Sequence, residues 1–419
     1  MGLVLYRIFL FLYACGVEIA SVFNQKAKLW YQGRQKIFKR LNKAFKGNEA
    51  PVIWFHCASL GEFEQGRPLL ESLRKRHPDH KILLSFFSPS GYEIHKNYAG
   101  ADWIFYLPLD SHYHARRWLS ITKPRLVVFV KYEFWYFYLK AVHDKNIPLI
   151  LVSALFRKEQ PFFKWYGPLL HTKMLRFYSH IFVQDDNSVR LLKAIHLTNV
   201  TQTGDTRVDR VLSIRDHWTP VEAIDRFCAD YPVIVAGSTW PEDDNELRHY
   251  ANSHPELRFI IAPHEIGPDR LEGCLELYPG SMLYSTYMQA PKPDVHILII
   301  DNIGRLKRLY RYATICFVGG GFGKNGIHNT LEAAVYGKPV IFGPVYEHFK
   351  ETVEMEKAGA AFPVDNVLEL EEILNELLAD QQQYQKASQA AAAFMEQSAG
   401  ATEKILSYID KNLIPISYE

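Results

Sequence analysis

The sequence predicts an α/β fold built from two doubly wound halves, and three observations carry that prediction. From residue 51 onward, short runs that are apolar on both faces alternate with amphipathic stretches. That pattern belongs to parallel strands covered by helices on both sides. The rhythm restarts after a boundary between residues 205 and 230, where Asp216-His217-Trp218-Thr219-Pro220 opens a second set. A glycine-rich turn then follows an apolar run late in that set, where open α/β sheets carry their ligand loops.

The elements justify this in order. Leu3 to Phe23 is an apolar run long enough, at about 1.5 Å per residue, to cross a bilayer core. Arg7 and Glu18 interrupt it. Eleven steps of about 100° bring the two charges to nearly the same face. That suits a helix lying in the interface or packed on protein as well as a spanning one. Residues 24–46 then carry eight basic residues and no acid, which leaves the rest of the chain at 40 basic against 46 acidic. Such a block in front of a mildly acidic body reads as an anchor for anionic lipid. If the helix spans, the flank places residue 24 onward in the cytoplasm.

The first strand set is Pro51–Cys57, Lys81–Phe87, Trp103–Leu107, Arg125–Val130, Pro148–Val152, His180–Val183 and Val200–Thr203. The second is Pro232–Ala236, Arg258–Ala262, Ser281–Tyr284, Ile297–Ile300, Thr314–Val318 and Pro339–Phe342. Helical stretches such as Phe63–His77 and Ser111–Ile121 lie between them, and the chain turns helical and polar after Leu368. The expected division is an anchor helix over 1–23, a basic linker over 24–50, a first doubly wound domain over 51–210, a second over 211–385, and a C-terminal helix over 386–419.

Composition limits the function classes. The 419 residues are 48% hydrophobic and 22% charged, which excludes wholesale disorder. Five scattered cysteines without a CxxC give no zinc framework. A formal charge of +2 makes no case for nucleic acid. Asp185-Asp186 and Asp243-Asp244 lack further metal ligands in the sequence and read as cap or loop acids. No metal and no cofactor are expected.

Chemistry is expected in the loops that follow strands. Val318-Gly319-Gly320-Gly321-Phe322-Gly323-Lys324-Asn325-Gly326 runs on to His328, Asn329 and Glu332. Its glycines let amides converge on an anion, Lys324 adds a charge, and Asn329 is an N-cap candidate. A turn needing glycine for geometry alone is the alternative. His56-Cys57-Ala58-Ser59-Leu60-Gly61-Glu62 closes the first strand. Glu62 is a candidate base, although Ser59 and Glu62 are also spaced as a capping box. Ser90 in Ser88-Pro89-Ser90-Gly91, Glu133 in Lys131-Tyr132-Glu133, Arg207 in Asp205-Thr206-Arg207, Ser238 and His264 all follow strands. Arg157 sits in an aromatic and cationic stretch.

Taken together, HCASLGEFEQGRPLL, SPSGYE, VKYEFWY, VQDDNSVRL, TGDTRVDRV, AGSTWPEDD, IIAPHE and FVGGGFGKNGIHNTLEAAVYGKPVIFGP resemble the lipid A Kdo (3-deoxy-D-manno-octulosonic acid) transferases along nearly the whole chain. The resemblance implies a GT-B fold of two Rossmann-like domains, acceptor-binding over 51–210 and CMP-sugar-binding over 211–385, with the C-terminal helix over 386–419 returning to the first. It implies CMP-Kdo as donor, lipid IVA as acceptor, and metal-independent inverting transfer at the cytoplasmic face of the inner membrane. It implies Glu62 as base. It implies donor contacts from Gly320, Gly321, Lys324, Asn325, Asn329, Glu332, Ser238, His264 and Arg207. Acceptor contacts would come from Ser59, Arg67, Ser90, Glu133 and Arg157. The sequence departs from the family in its APHE block, where Pro263 and His264 are adjacent and Arg270 follows several residues on. Another GT-B transferase using a UDP- or GDP-sugar is the alternative.

Overall fold

The structure, a computed structural model, describes residues 2–324 and 326–414. One unit runs to Arg210 and takes the chain up again from Ala399; the other is Val211–Ser398.

The first unit is built on β1 (Val52–Cys57), β2 (Lys81–Phe86), β3 (Trp103–Tyr106), β4 (Pro124–Val130), β5 (Leu149–Ala154), β6 (His180–Val183) and β7 (Val200–Gln202). They form one parallel sheet in the order β3-β2-β1-β4-β5-β6-β7. Successive residues of β1 serve opposite faces, as a pleated strand requires: Trp54 packs with Trp118 and Phe129, while Phe55 joins Phe63, Leu84 and Val128.

The second unit contains β8 (Val233–Thr239), β9 (Arg258–Pro263), β10 (Met282–Leu283), β11 (Ile297–Ile299), β12 (Ile315–Val318), β13 (Val340–Phe342) and β14 (Ala361–Pro363). These form a second parallel sheet in the order β10-β11-β9-β8-β12-β13-β14. Every expected strand is present, and β14 is additional. Its three residues, ending in proline at the sheet edge, are too few to show a period.

Each sheet reverses its winding once, between β1 and β4 in the first and between β8 and β12 in the second. Ligand loops of doubly wound sheets gather at that reversal, beyond the carboxyl ends of the strands. The loops bearing Ser59, Glu62 and Glu133 therefore share one such position, and those bearing Ser238 and Gly319–Gly321 share the other.

Residues 24–50 are not a linker. They form helices Gln25–Arg34 and Ile37–Ala44, whose Ile37, Phe38 and Leu41, followed by Phe45, enter the first unit's core. Arg34, counted above as a surface cation, is half-buried. It donates to the carbonyls of Phe87 (2.7 Å) and Leu107 (2.9 Å) and lies over the Trp30, Phe87 and Tyr106 rings. Burial lowers its pKa.

At the other end, helix Gln381–Gln397 stays with the second unit, its Ala387 in that core. Only Ala401–Asn412 returns to the first unit. Ile405, Leu406 and Ile409 pack beside Leu69, Leu70 and Leu73, and Arg76 bonds Glu403 (2.8 Å) and Asp410 (2.9 Å).

The apolar N-terminal run is a helix, Gly2–Ala20, long and apolar enough to cross a membrane. One of its faces is fixed to the first unit. Leu10 is buried, Tyr6 donates to Asp110 (2.7 Å), Tyr13 meets Trp30 and Phe87, and Arg7 lies over Phe137. Glu18 accepts from Tyr31 at 2.9 Å. Val4, Leu5, Ile8, Phe9, Phe11 and Leu12 are exposed.

Candidate active site

At the first reversal, Ser59 ends the β1 loop as the N-cap of helix Leu60–Arg76. Its hydroxyl accepts no backbone N–H and instead donates to the Glu62 carboxylate. The capping box suggested by the spacing is therefore not formed. Glu62 stays half-buried at the carboxyl edge, oriented by a side chain rather than used as a cap. Beside it, burial raises the Tyr132 phenol, Arg157 opposes the rise, and Glu62 and Asp185 add to it. Tyr132 thus lies in the field of Glu62, Arg157 and Asp185. The Ser88–Gly91 turn docks alongside, with Ser88 N–H donating to Ala58 O at 2.7 Å and the Ser88 and Ser90 hydroxyls 3.0 Å apart.

Below this edge is a buried polar chain. Trp54 Nε1 donates to Ser85 Oγ (2.7 Å), which lies 2.9 Å from His56 Nδ1. His56 Nε2 is 2.6 Å from Glu133 Oε2, in ion-pair range but off the line of a directed hydrogen bond. Trp135 Nε1 donates to the same oxygen. Glu133 is only 3% exposed. It was expected to meet the acceptor, but as a buried carboxylate bonded to its neighbours it positions the edge instead. The adjoining Lys131 has φ 68°, a left-handed conformation unusual for a non-glycine residue and typical of functional loops.

One further acceptor candidate is engaged locally and another is open to solvent. Arg67 bonds Glu71 (2.7 Å) on its own helix and lies over Tyr98. Arg157 is exposed. Arg207, expected at the donor, is clasped by its neighbour Asp205 through Nε (2.8 Å) and its terminal nitrogen (2.5 Å) in the first unit. Asp185 is the N-cap of helix Asp186–Ala194, accepting from Ser188 N–H at 2.7 Å.

At the second reversal the glycines answer to packing. A Cβ on Gly321 would sit 2.5 Å from the Gly343 backbone, and one on Gly319 would sit 2.5 Å from the Ser238 carbonyl. Gly320 has φ 93°. Its amide does not face an anionic ligand as expected, because it donates to Asp243 Oδ2 at 2.7 Å. The same carboxylate accepts from Trp240 N–H (2.8 Å) and Phe322 N–H (3.4 Å). Asp243 is fully buried, and burial raises its pKa to about 6 against those three hydrogen bonds. The helix after the turn is a single turn, Leu331–Ala334, so the dipole expected there is small. Asn329 accepts from Leu331 N–H and donates to Glu332, and Lys307 lies 3.2 Å from Glu332. Lys324 is exposed, and Asn325 lies outside the described residues.

Ser238 has φ 56°. His264 stands in a column of rings, 4.7 Å from Trp240 and 4.3 Å from His328, and Trp240 Nε1 donates to His328 Nε2 at 3.0 Å. Burial and the neighbouring His264 lower the His328 pKa to about 4, so this ring is neutral at physiological pH. Arg270, displaced along the sequence, is brought back by its helix Pro268–Leu277 to bond buried Asp244 and the Thr239 carbonyl. Among the described residues no group of three or more His, Cys, Asp or Glu is arranged to hold a metal ion.

Residues 34–210 match the family model for 3-deoxy-D-manno-octulosonic-acid transferases, and residues 285–394 match glycosyl transferases group 1. A 3-deoxy-D-manno-octulosonic acid transferase of Aquifex aeolicus is 28% identical over 78% of this chain and 86% of its own. One from Bordetella pertussis is 27% identical over 90% and 92%. Over most of its length the chain is therefore similar to the Kdo transferases. The UDP-GlcNAc 2-epimerase of Neisseria meningitidis, at 16% identity, superposes with a TM-score of 0.61 over 86% of this chain and all of that one. That agrees with a GT-B type of fold. The chain is a glycosyltransferase.

Four residues of these edges were not singled out by the sequence alone. Trp240 and His328 stood inside quoted motifs, but only folding stacks them on His264. Asp243 read as a cap acid, and it does cap Trp240 N–H; its two bonds to the glycine turn span about 80 residues and leave no local signal. His56 sits on a strand whose six residues are all buried and reads there as core.

Proposed function

We propose that this chain transfers Kdo from CMP-Kdo to lipid IVA, inverting the anomeric centre without a metal. The observation that carries the reading is Glu62: a half-buried carboxylate at the β1/β4 reversal, held by Ser59 Oγ and free of capping duty. In this reading Glu62 accepts the proton of the acceptor's primary hydroxyl as that oxygen bonds the Kdo anomeric carbon. The bond from that carbon to the CMP phosphate oxygen breaks, and charge builds on the departing phosphate. Lys324 and Gly321 are assigned to that charge, with Gly320 committed to Asp243. Asn329 and Glu332 are assigned to the ribose, with Ser238 and the His264 ring column beside the nucleotide. Ser59, Ser90 and Arg157 are assigned to the acceptor.

The membrane contact is assigned to helix Gly2–Ala20. With one face bonded to the first unit and the opposite apolar face uncovered, it suits the interface of an anionic inner membrane, on its cytoplasmic side, better than a free span.

The test is incubation of purified protein with CMP-Kdo and lipid IVA, followed by mass spectrometry. The expected product carries the mass of one or more Kdo residues. Transfer from a UDP- or GDP-sugar, with none from CMP-Kdo, would overturn the donor assignment.

A further inference from the structure

We propose that the groove between helices His112–Thr122 and Tyr136–Asp144 binds the phosphate of an anionic phospholipid headgroup in the bilayer, one whose charge no headgroup ammonium offsets. The proposal rests on the membrane reading above and adds a defined lipid site to it.

The groove encloses about 790 Å³, within the range of small-molecule sites. Its walls are cationic from both sides. Arg116 and Arg117 stand on the first helix; Lys140 stands on the second, and Lys145 follows its end. Asp144 is the only acid in the lining and is already bonded to Lys140 at 2.8 Å. Arginine forks on one wall facing ammonium groups on the other suit the several acceptor oxygens of a phosphate.

The location selects the source of that phosphate. Phe137 lines the groove, and its ring carries Arg7 of the apolar helix at 5.3 Å. Tyr6 of the same helix meets Phe137 at 6.2 Å. The residues flanking Arg7 in the chain, Leu5, Ile8 and Phe9, are exposed. A helix lying in the headgroup region therefore brings the groove to phosphate level. The groove is separate from the reacting edge. Lys140 and Lys145 follow Tyr136, the first residue of their helix, by four and nine positions, roughly 6–13 Å along the axis. A structural phospholipid fits this place; the acceptor hydroxyl must instead reach Glu62.

The test uses the full chain and sedimentation with vesicles of phosphatidylcholine alone or containing phosphatidylglycerol. Arg116→Ala/Lys140→Ala removes one cation from each wall and spares Arg117, which is packed over Phe38. At about fivefold per cation, the expected loss on phosphatidylglycerol vesicles is roughly 25-fold. Binding to phosphatidylcholine and the melting temperature are expected to stay unchanged, and putting the charge back on one wall, with Arg116→Lys beside Lys140→Ala, should recover about fivefold. Unaltered binding to phosphatidylglycerol, or an equal loss on both vesicles, would overturn the site. Equal competition by millimolar inorganic phosphate or glycerol phosphate would mark a free-anion site and overturn the lipid assignment. If wild type bound neither vesicle, the membrane reading itself would fail, an outcome distinct from these.

Discussion

The two carboxyl edges solve opposite electrostatic problems with similar topology. Each lies where its sheet reverses, each contains a non-glycine residue in left-handed backbone, and each has a buried carboxylate beneath it. In the first unit the buried Glu133 meets side chains, His56 and Trp135, and a second carboxylate, Glu62, remains at the surface. In the second unit the buried Asp243 takes up main-chain amides of the glycine turn, and what faces outward is a lysine and a ring column. One edge presents an acid, while the other withdraws its acid and presents groups suited to an anionic nucleotide. The shared reversal does not decide which; the depth at which each carboxylate is held does.

Four substitutions test that contrast through stability, in descending size. Gly321→Ala places a Cβ against the Gly343 backbone, where neither chain can yield cheaply, and should destabilise the second unit by about 3 kcal/mol or more in thermal unfolding. Asp243→Ala leaves three N–H groups without their acceptor and should cost about 2–3 kcal/mol. Hydrogen exchange should show it as faster exchange at Gly320 and Phe322, with the first unit unaffected. Glu133→Gln keeps the shape and removes the charge beside His56, for about 1–2 kcal/mol in the first unit. If Asp243→Ala left amide exchange unchanged, the glycine turn would be held by packing alone.

The smallest effect is a pH dependence. Unfolded His328 takes a proton near pH 6.5, whereas the folded ring does so only near 4. The unfolded state binds more protons in that window, so this contribution is present above pH 6.5 and is lost as pH falls toward 4. Asp243, raised to about 6, acts with the opposite sign over the lower part of the same window. His328→Gln should therefore gain on wild type, in melting temperature, as pH drops from 6.5 to 4. A constant difference across that range would remove His328 from the account.

Most of the fold was legible because the inner strands of both sheets are buried on both faces, and such runs stand out against amphipathic helices. Trp54 and Phe55, packed on opposite faces, are the plainest case. What failed was the meaning of charge. Arg34 and Glu133 look like surface ligands in the chain, yet aromatic rings and buried polar partners fold around both. Gly320 looks like an anion donor until Asp243 arrives from 77 positions away. Glu62 failed in the useful direction, since its spacing from Ser59 suggested a cap and the hydroxyl turns to the carboxylate instead.

The most direct measurement is donor binding and turnover of Glu62→Gln in the same preparation. The account predicts CMP-Kdo affinity within about twofold of wild type and kcat lower by roughly 100-fold to 10,000-fold, the range for a lost general base. Near-normal kcat with intact donor binding would contradict it and move the base to another group.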